Sequence, residues 1–232
     1  MIILLSPAKT FSKTPSVSHQ KPMFLDESIV LQEKLKKLSC DEIKTKMHLS
    51  SKLSDTVYNY YQKLGTTHYK AIEAYQGQVY KSLDYLSLKT VEKKYIHKHV
   101  RIISGLYGML SPEDGISYYR LEMQDQVITN LYHYWNKILS SYIDKHASKE
   151  IFVSLCSLEY EKVFDHIPII TIDFISKTKL HAMALKTLRG LFVKQMAIQN
   201  VQSLNELKQI NVDGFIYSEK SSTSSHFTFK KD

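Results

Sequence analysis

The stretch Ile2-Ile3-Leu4-Leu5-Ser6-Pro7-Ala8-Lys9-Thr10 opens the chain with four aliphatic residues and a proline turn. An unbroken aliphatic run bounded by a turn signal predicts a buried strand, because a strand covered on both faces needs no polar alternation. Ser6-Pro7 ends it. Working outward, Ile151 to Leu155 and Ile167 to Phe174 are β-branched runs that predict central strands. Arg101-Ile102-Ile103 predicts a short strand, and Phe215-Ile216-Tyr217 and Phe227-Thr228-Phe229 predict two more. With strands at both ends and in the middle, the pattern predicts one α/β domain over residues 1–232, a mixed central sheet flanked by helices.

The intervening segments carry helical periods. Asp26 to Leu38 places Ile29, Leu31, Leu35 and Leu38 near helical spacing, and Ser51 to Leu64 puts Leu53, Val57, Tyr60 and Leu64 on one face. Ser39-Cys40-Asp41-Glu42 has the form of a capping box. Ala71 to Leu83 is ambiguous around Gly77, and Ser87 is a candidate cap for a lysine-bearing helix that follows. Leu131 to Lys145 is amphipathic and holds the only tryptophan, Trp135. Lys177 to Gln199 predicts the longest helix; it contains five cations and no acid.

Lys plus Arg number 31 against 23 Asp plus Glu, a formal charge of +8 that favours polyanionic partners, nucleic acid above all. Cys40 and Cys156 lie far apart in no metal-type spacing, as expected of reduced thiols in a cytoplasmic protein. The first apolar run is too short for a membrane span. The histidines show no ligand spacing, so neither metal nor other cofactor is expected.

Four stretches carry candidate chemistry. Lys9 follows the first strand, at the kind of edge where α/β folds bind ligands; it reads either as a phosphate contact or as an ordinary loop lysine. Ser104-Gly105-Leu106-Tyr107-Gly108 reads as a structural turn or, with one residue too many between its glycines, as a phosphate-binding hairpin. In Tyr119-Arg120-Leu121-Glu122 the alternation expected of a strand sets Arg120 and Glu122 on one face, paired with each other or gripping a planar ligand. Glu159 follows a buried strand, as a general base or as a first-turn helix acid. The acid-free helix with Lys186, Arg189 and Lys194 can line a phosphate backbone, or simply present a solvated basic face.

These residues resemble the YaaA family of bacterial peroxide-stress proteins. The resemblance runs from Ile3 through Thr10, Ala74 to Tyr80, Leu106 to Gly108, Tyr119 to Met123, Leu131 to Trp135, Ser157 to Tyr160 and Leu188 to Gly190. The chain departs from the family pattern at Gln78, Ser111, Gln124, Thr187 and Leu188, and the loss of an Arg at Ser111 weakens any phosphate contact there. The resemblance implies a compact α/β domain of unusual topology with a basic DNA-binding cleft, in proteins that limit iron-dependent oxidative damage to DNA.

Two functions are therefore expected to compete. The first is a monomeric, non-enzymatic cytoplasmic protein that binds DNA largely without sequence preference and has no membrane partner. Its cleft would be lined by Lys9, Lys94, Lys98, Arg101, Arg120, Lys186, Arg189 and Lys194, with Tyr119 stacking on bases. The second is an enzyme on a nucleotide or related anion, with Lys9, Arg120 and Arg189 holding the anion beside Tyr119 and with Glu122 or Glu159 as acid or base. Convergence of Lys9, Arg120, Glu122 and Glu159 in one concavity favours the second.

Overall fold

A computed structural model describes residues 1–231. The elements in chain order are β1 (Ile2–Leu5), α1 (Leu25–Lys36), α2 (Cys40–Lys46), α3 (Ser51–Gln62), β2 (Tyr69–Lys70), α4 (Ala71–Ala74) and α5 (Gln78–Leu83). Then come α6 (Thr90–His99), β3 (Val100–Ser104), β4 (Gly108–Leu110), β5 (Gly115–Ile116), α7 (Leu131–His146), β6 (Phe152–Ser154) and α8 (Leu158–Glu161). The chain finishes with β7 (Ile169–Ser176), α9 (Ala182–Ile198), α10 (Leu204–Lys208), β8 (Ile216–Tyr217) and β9 (His226–Lys231).

The opening run becomes the centre of the molecule. β1 lies between β3 and β6, parallel to both, in a seven-stranded sheet of order β4-β3-β1-β6-β7-β9-β8. Ile3, Leu4 and Leu5 are fully buried, each burial contributing roughly 1.5–3 kcal/mol of transfer free energy. The edge strands β4 and β8 run antiparallel, so the sheet is mixed. From β1 the chain crosses to β3 on one side, while from β6 it proceeds to β7 and β9 on the other. That divergence leaves a crevice beyond the C-terminal ends of β1 and β6, where open α/β sheets bind ligands.

Side-chain caps start α2, α3, α7, α9 and α10. The Ser39 side chain accepts from Glu42 N while Glu42 accepts from Ser39 N, the reciprocal box. Trp135 is fully buried on α7 and its Nε1 donates to the Gly105 carbonyl at 2.8 Å. Several expectations need correction. The basic helix starts at Ala182 with His181 as its cap, so Lys177 and Lys179 precede it. Ser87 sits in a 3₁₀ turn, and Lys89 stands at the start of α6, where Glu92 accepts from its backbone N–H. Ile29 faces outward at 43% exposure while Leu31 and Leu35 take the core, because the buried stripe of α1 is narrow. Ala71 to Leu83 resolves into two short helices around Gly77. No helix among the described residues is long and apolar enough to cross a membrane.

Candidate functional site

The crevice at the β1 and β6 ends is a cavity of about 390 Å³. One wall is the loop after β1, Ser6 to Thr10; a second is the start of α5; a third is Tyr119 to Glu122; the floor comes from the segment after β6 and from α9. Lys9, Arg120, Glu122 and Glu159 all line it, together with Lys186 and Arg189. The four residues whose convergence was in question do share one concavity.

Each wall is held by identifiable contacts. Ser157 N donates to Ser6 Oγ at 2.8 Å, tying the loops after β1 and β6 together, and Tyr80 Oη donates to the Ser6 carbonyl at 2.8 Å. Thr10 exchanges hydrogen bonds with Gln76. The Tyr119–Glu122 segment joins no strand among the described residues, contrary to what its alternation predicts, yet burial alternates along it: Tyr119 and Leu121 are buried, Arg120 and Glu122 partly exposed, and all four line the cavity. It lies so close over Gly105 that a Cβ there would sit 2.6 Å from the Leu121 carbonyl oxygen. The glycine hairpin therefore serves the site by shape, as a support for this segment. Gly190 plays the same part for α9: a Cβ would meet the Val79 carbonyl and Ser82 Oγ at 2.1 Å, so α9 is seated directly against α5. Gln78 on α5 donates to Thr187 on α9 at 3.0 Å, a neutral link between two positions where the chain departs from the family pattern.

Electrostatically the cavity holds four cations and two carboxylates. Glu122 Oε1 lies 2.7 Å from Lys9 Nζ and 3.6 Å from Arg120 Nη2. Burial, reinforced by the Glu122 charge, raises the Glu159 carboxyl above its ordinary value; among the described residues its one hydrogen bond is a long 3.4 Å contact from Gln124 N. Asp125, which sequence reading missed, accepts from Glu122 N at 2.7 Å and is also raised by burial. Its signal was the Glu-x-x-Asp spacing, which closes a turn through the Asp side chain. Arg189 is lowered by desolvation, and its Nε is buried without a hydrogen-bond partner among the described residues. Beneath the floor, burial pushes the Cys156 thiol up to about 12.

The wider set of expected DNA contacts is not gathered here. Lys94 and Lys98 lie on α6, away from the residues that line the cavity. Arg101 sits in the N-terminal half of β3 and donates to the carbonyls of His97, Lys98 and Val100. Lys194 is held 3.1 Å from both Asp84 Oδ2 and Ser87 Oγ. Tyr119 is 4% exposed, its hydroxyl 2.6 Å from that of Tyr75 and 2.7 Å from Ser104 Oγ, so its ring offers no face for stacking on bases.

The fold and cavity define an α/β protein with a cationic, carboxylate-bearing pocket at its sheet's switch point. The family model for "Peroxide stress protein YaaA" matches residues 1–221, and the chain belongs to that family. A "UPF0246 protein" of Legionella pneumophila (strain Corby) is 32% identical over 253 residues, covering 99% of this chain and 98% of the relative. "UPF0246 protein" relatives from Finegoldia magna and Clostridium beijerinckii are each 33% identical, each covering 100% of this chain and 98% of the relative.

Proposed function

We propose that this chain acts in the cytoplasm during peroxide stress as a DNA-binding protein that limits iron-dependent oxidative damage. The observation that carries the reading is the convergence of Lys9, Arg120, Lys186 and Arg189 on one opening in a chain of net charge +8. Iron reduces peroxide to hydroxyl radical, which reacts close to where it forms. Cationic side chains that neutralise phosphates release the cations condensed there, ferrous ions included, so occupancy of the backbone moves radical formation away from DNA. Binding of this kind is largely indifferent to sequence. A duplex titration between 50 and 200 mM salt tests it. Affinity is expected to fall steeply with salt, and Lys186→Ala to reduce the slope by about one phosphate contact; a flat salt dependence overturns the reading.

A second reading, an enzyme on a nucleotide or related anion, is the one that the shared cavity of Lys9, Arg120, Glu122 and Glu159 favours. Glu122 and Glu159 stand inside the cavity beside the cations, where they repel the phosphates of a passing duplex but are placed for proton transfer. Incubation with nucleotides, with product resolved by chromatography, tests it; turnover lost in Glu159→Gln supports it, and unchanged nucleotides rule it out.

A further inference from the structure

We infer that the cavity is polarised and takes a single phosphorylated nucleotide, with the phosphate on Arg189 and Lys186 and the nucleoside's hydrogen-bond donors on Glu122 and Glu159. The inference rests on reading this cavity as the site for DNA or a nucleotide, and it adds which groups of that ligand meet which side chains.

Arg189 marks the anionic pole. Its Nε is buried and unpartnered, and among the described residues its guanidinium makes no hydrogen bond or ion pair. Of the carboxylates that act on it, Asp173 and Glu161, neither forms an ion pair with it, and Glu161 is already committed, accepting from Ser154 Oγ and from Thr171 Oγ1, each at 2.6 Å. An unsatisfied buried donor costs about 1–3 kcal/mol, and more when charged. A fork of unpaired N–H groups lining a cavity is the arrangement that an oxyanion completes. Lys186 lies three residues earlier on α9 and so on the same helix face, and it lines the same cavity. Two cations on one rigid helix, seated on α5 through Gly190, suit a phosphate.

The second pole accepts: the charges that act on Glu159 are Glu122, Lys9 and Asp125, whereas those that act on Arg189 are Cys156, Asp173 and Glu161, so the two groups sit apart in the cavity. Glu122 is held by Lys9 and Arg120 at 2.7 and 3.6 Å, and Glu159 keeps free acceptor capacity beyond its long bond from Gln124 N. A simple oxyanion would leave these carboxylates facing negative charge. A nucleotide instead brings hydroxyl and amino donors to them and keeps its charge at the far end. Ala8, Val79 and Leu155 give the cavity apolar lining suited to a sugar or base face. At about 390 Å³ the cavity lies within the usual ~300–1,000 Å³ of small-molecule sites, sized for one nucleotide, so that a duplex would meet it only at its rim. The same chemistry comes from two sources, a free nucleoside monophosphate or one nucleotide extruded from a DNA strand.

Calorimetric titration of the full chain with the four nucleoside monophosphates, the matching nucleosides and inorganic phosphate tests the inference. At least one monophosphate is expected to bind about tenfold or more tighter than both its nucleoside and phosphate, since each pole contributes more than about 1.4 kcal/mol. Arg189→Gln is expected to weaken the monophosphate by about 10- to 100-fold while leaving the nucleoside unchanged, and Glu159→Gln to weaken both. Arg189→Lys, with thermal melting of each variant, separates lost contacts from lost folding. Phosphate binding as tightly as every monophosphate overturns the inference, as does an Arg189→Gln protein that is folded and unaffected. Competition by the monophosphate against a single-stranded oligonucleotide assigns the extruded-nucleotide source; binding without competition assigns the free one. Salt-dependent duplex binding with no monophosphate binding at all overturns this inference and leaves the DNA reading standing. Binding of neither overturns both.

Discussion

Lys9 Nζ stands 2.7 Å from Glu122 Oε1, so the loop after the first strand is clasped to a segment from the middle of the chain across the mouth of the cavity. Lys9 is 58% exposed and Glu122 only 12%, which makes the lysine the replaceable half of the pair. An ion pair with one solvated partner contributes about 0–1 kcal/mol. Lys9→Ala is therefore expected to shift unfolding stability by no more than about 1 kcal/mol while weakening duplex binding through the loss of one exposed charge. Denaturant unfolding and a binding titration on the same preparation check the two halves.

Gly190 predicts a coupling between packing and binding. Alanine there forces α9 off α5, because the contacts a Cβ would meet include the Val79 carbonyl at 2.1 Å. Overpacking of this kind costs about 1–3 kcal/mol. Since Lys186 and Arg189 ride on α9, Gly190→Ala is expected to lower both stability and ligand affinity. A variant that loses stability yet binds as before would show that α9 need not be seated on α5 for function.

Asp114 predicts a pH dependence of stability. It is 1% exposed, and burial raises its carboxyl to about 6, although it accepts from Ser111 N and Gln20 Nε2. A carboxyl raised on folding holds its proton in the native state where the unfolded chain has released it. Its contribution therefore favours the folded state on the acid side and diminishes as pH rises from about 4 through about 6. Glu42, Asp84 and Glu150 are lowered and act with the opposite sign. The difference in unfolding free energy between the wild type and Asp114→Asn isolates the Asp114 term, which should show that downward slope.

The two thiols should differ under native conditions. Cys156 is 3% exposed with its thiol pushed up to about 12, and a thiol kept protonated is a poor nucleophile. Cys40 is half-buried at the start of α2. Mass spectrometry after brief treatment with iodoacetamide or hydrogen peroxide is expected to find modification confined to Cys40, with Cys156 reacting only after denaturation. Rapid native oxidation of Cys156 would contradict the burial that accounts for its inertness.

Much of the fold was legible locally. The aliphatic run at Ile2 to Leu5, the capping box at Ser39 and the amphipathic period around Trp135 depend on near neighbours, and each formed the element its pattern implies. The errors fell where a tertiary contact overrode a local preference. Burial alternates along Tyr119 to Glu122 as it would on a strand, but the segment packs over Gly105 instead of joining a ladder. Lys177 and Lys179 share the basic composition of α9, yet β7 continues to Ser176 and delays the helix to Ala182.

The sequence by itself determined most of the buried strands (β4, Gly108–Leu110, excepted), the helical periods, and that cations outnumber acids, because these follow from composition and short-range spacing. The tertiary structure alone decided which charges meet. Lys9, Arg120, Glu159 and Arg189 share a cavity only because β1 lies between β3 and β6 and the crossovers diverge there. Lys94, Lys98, Arg101 and Lys194 carry the same charge but are placed elsewhere by α6, the N-terminal half of β3 and the outer part of α9. Charge is a property of a residue type, whereas convergence is a property of strand order, and strand order is set by burial over the whole chain.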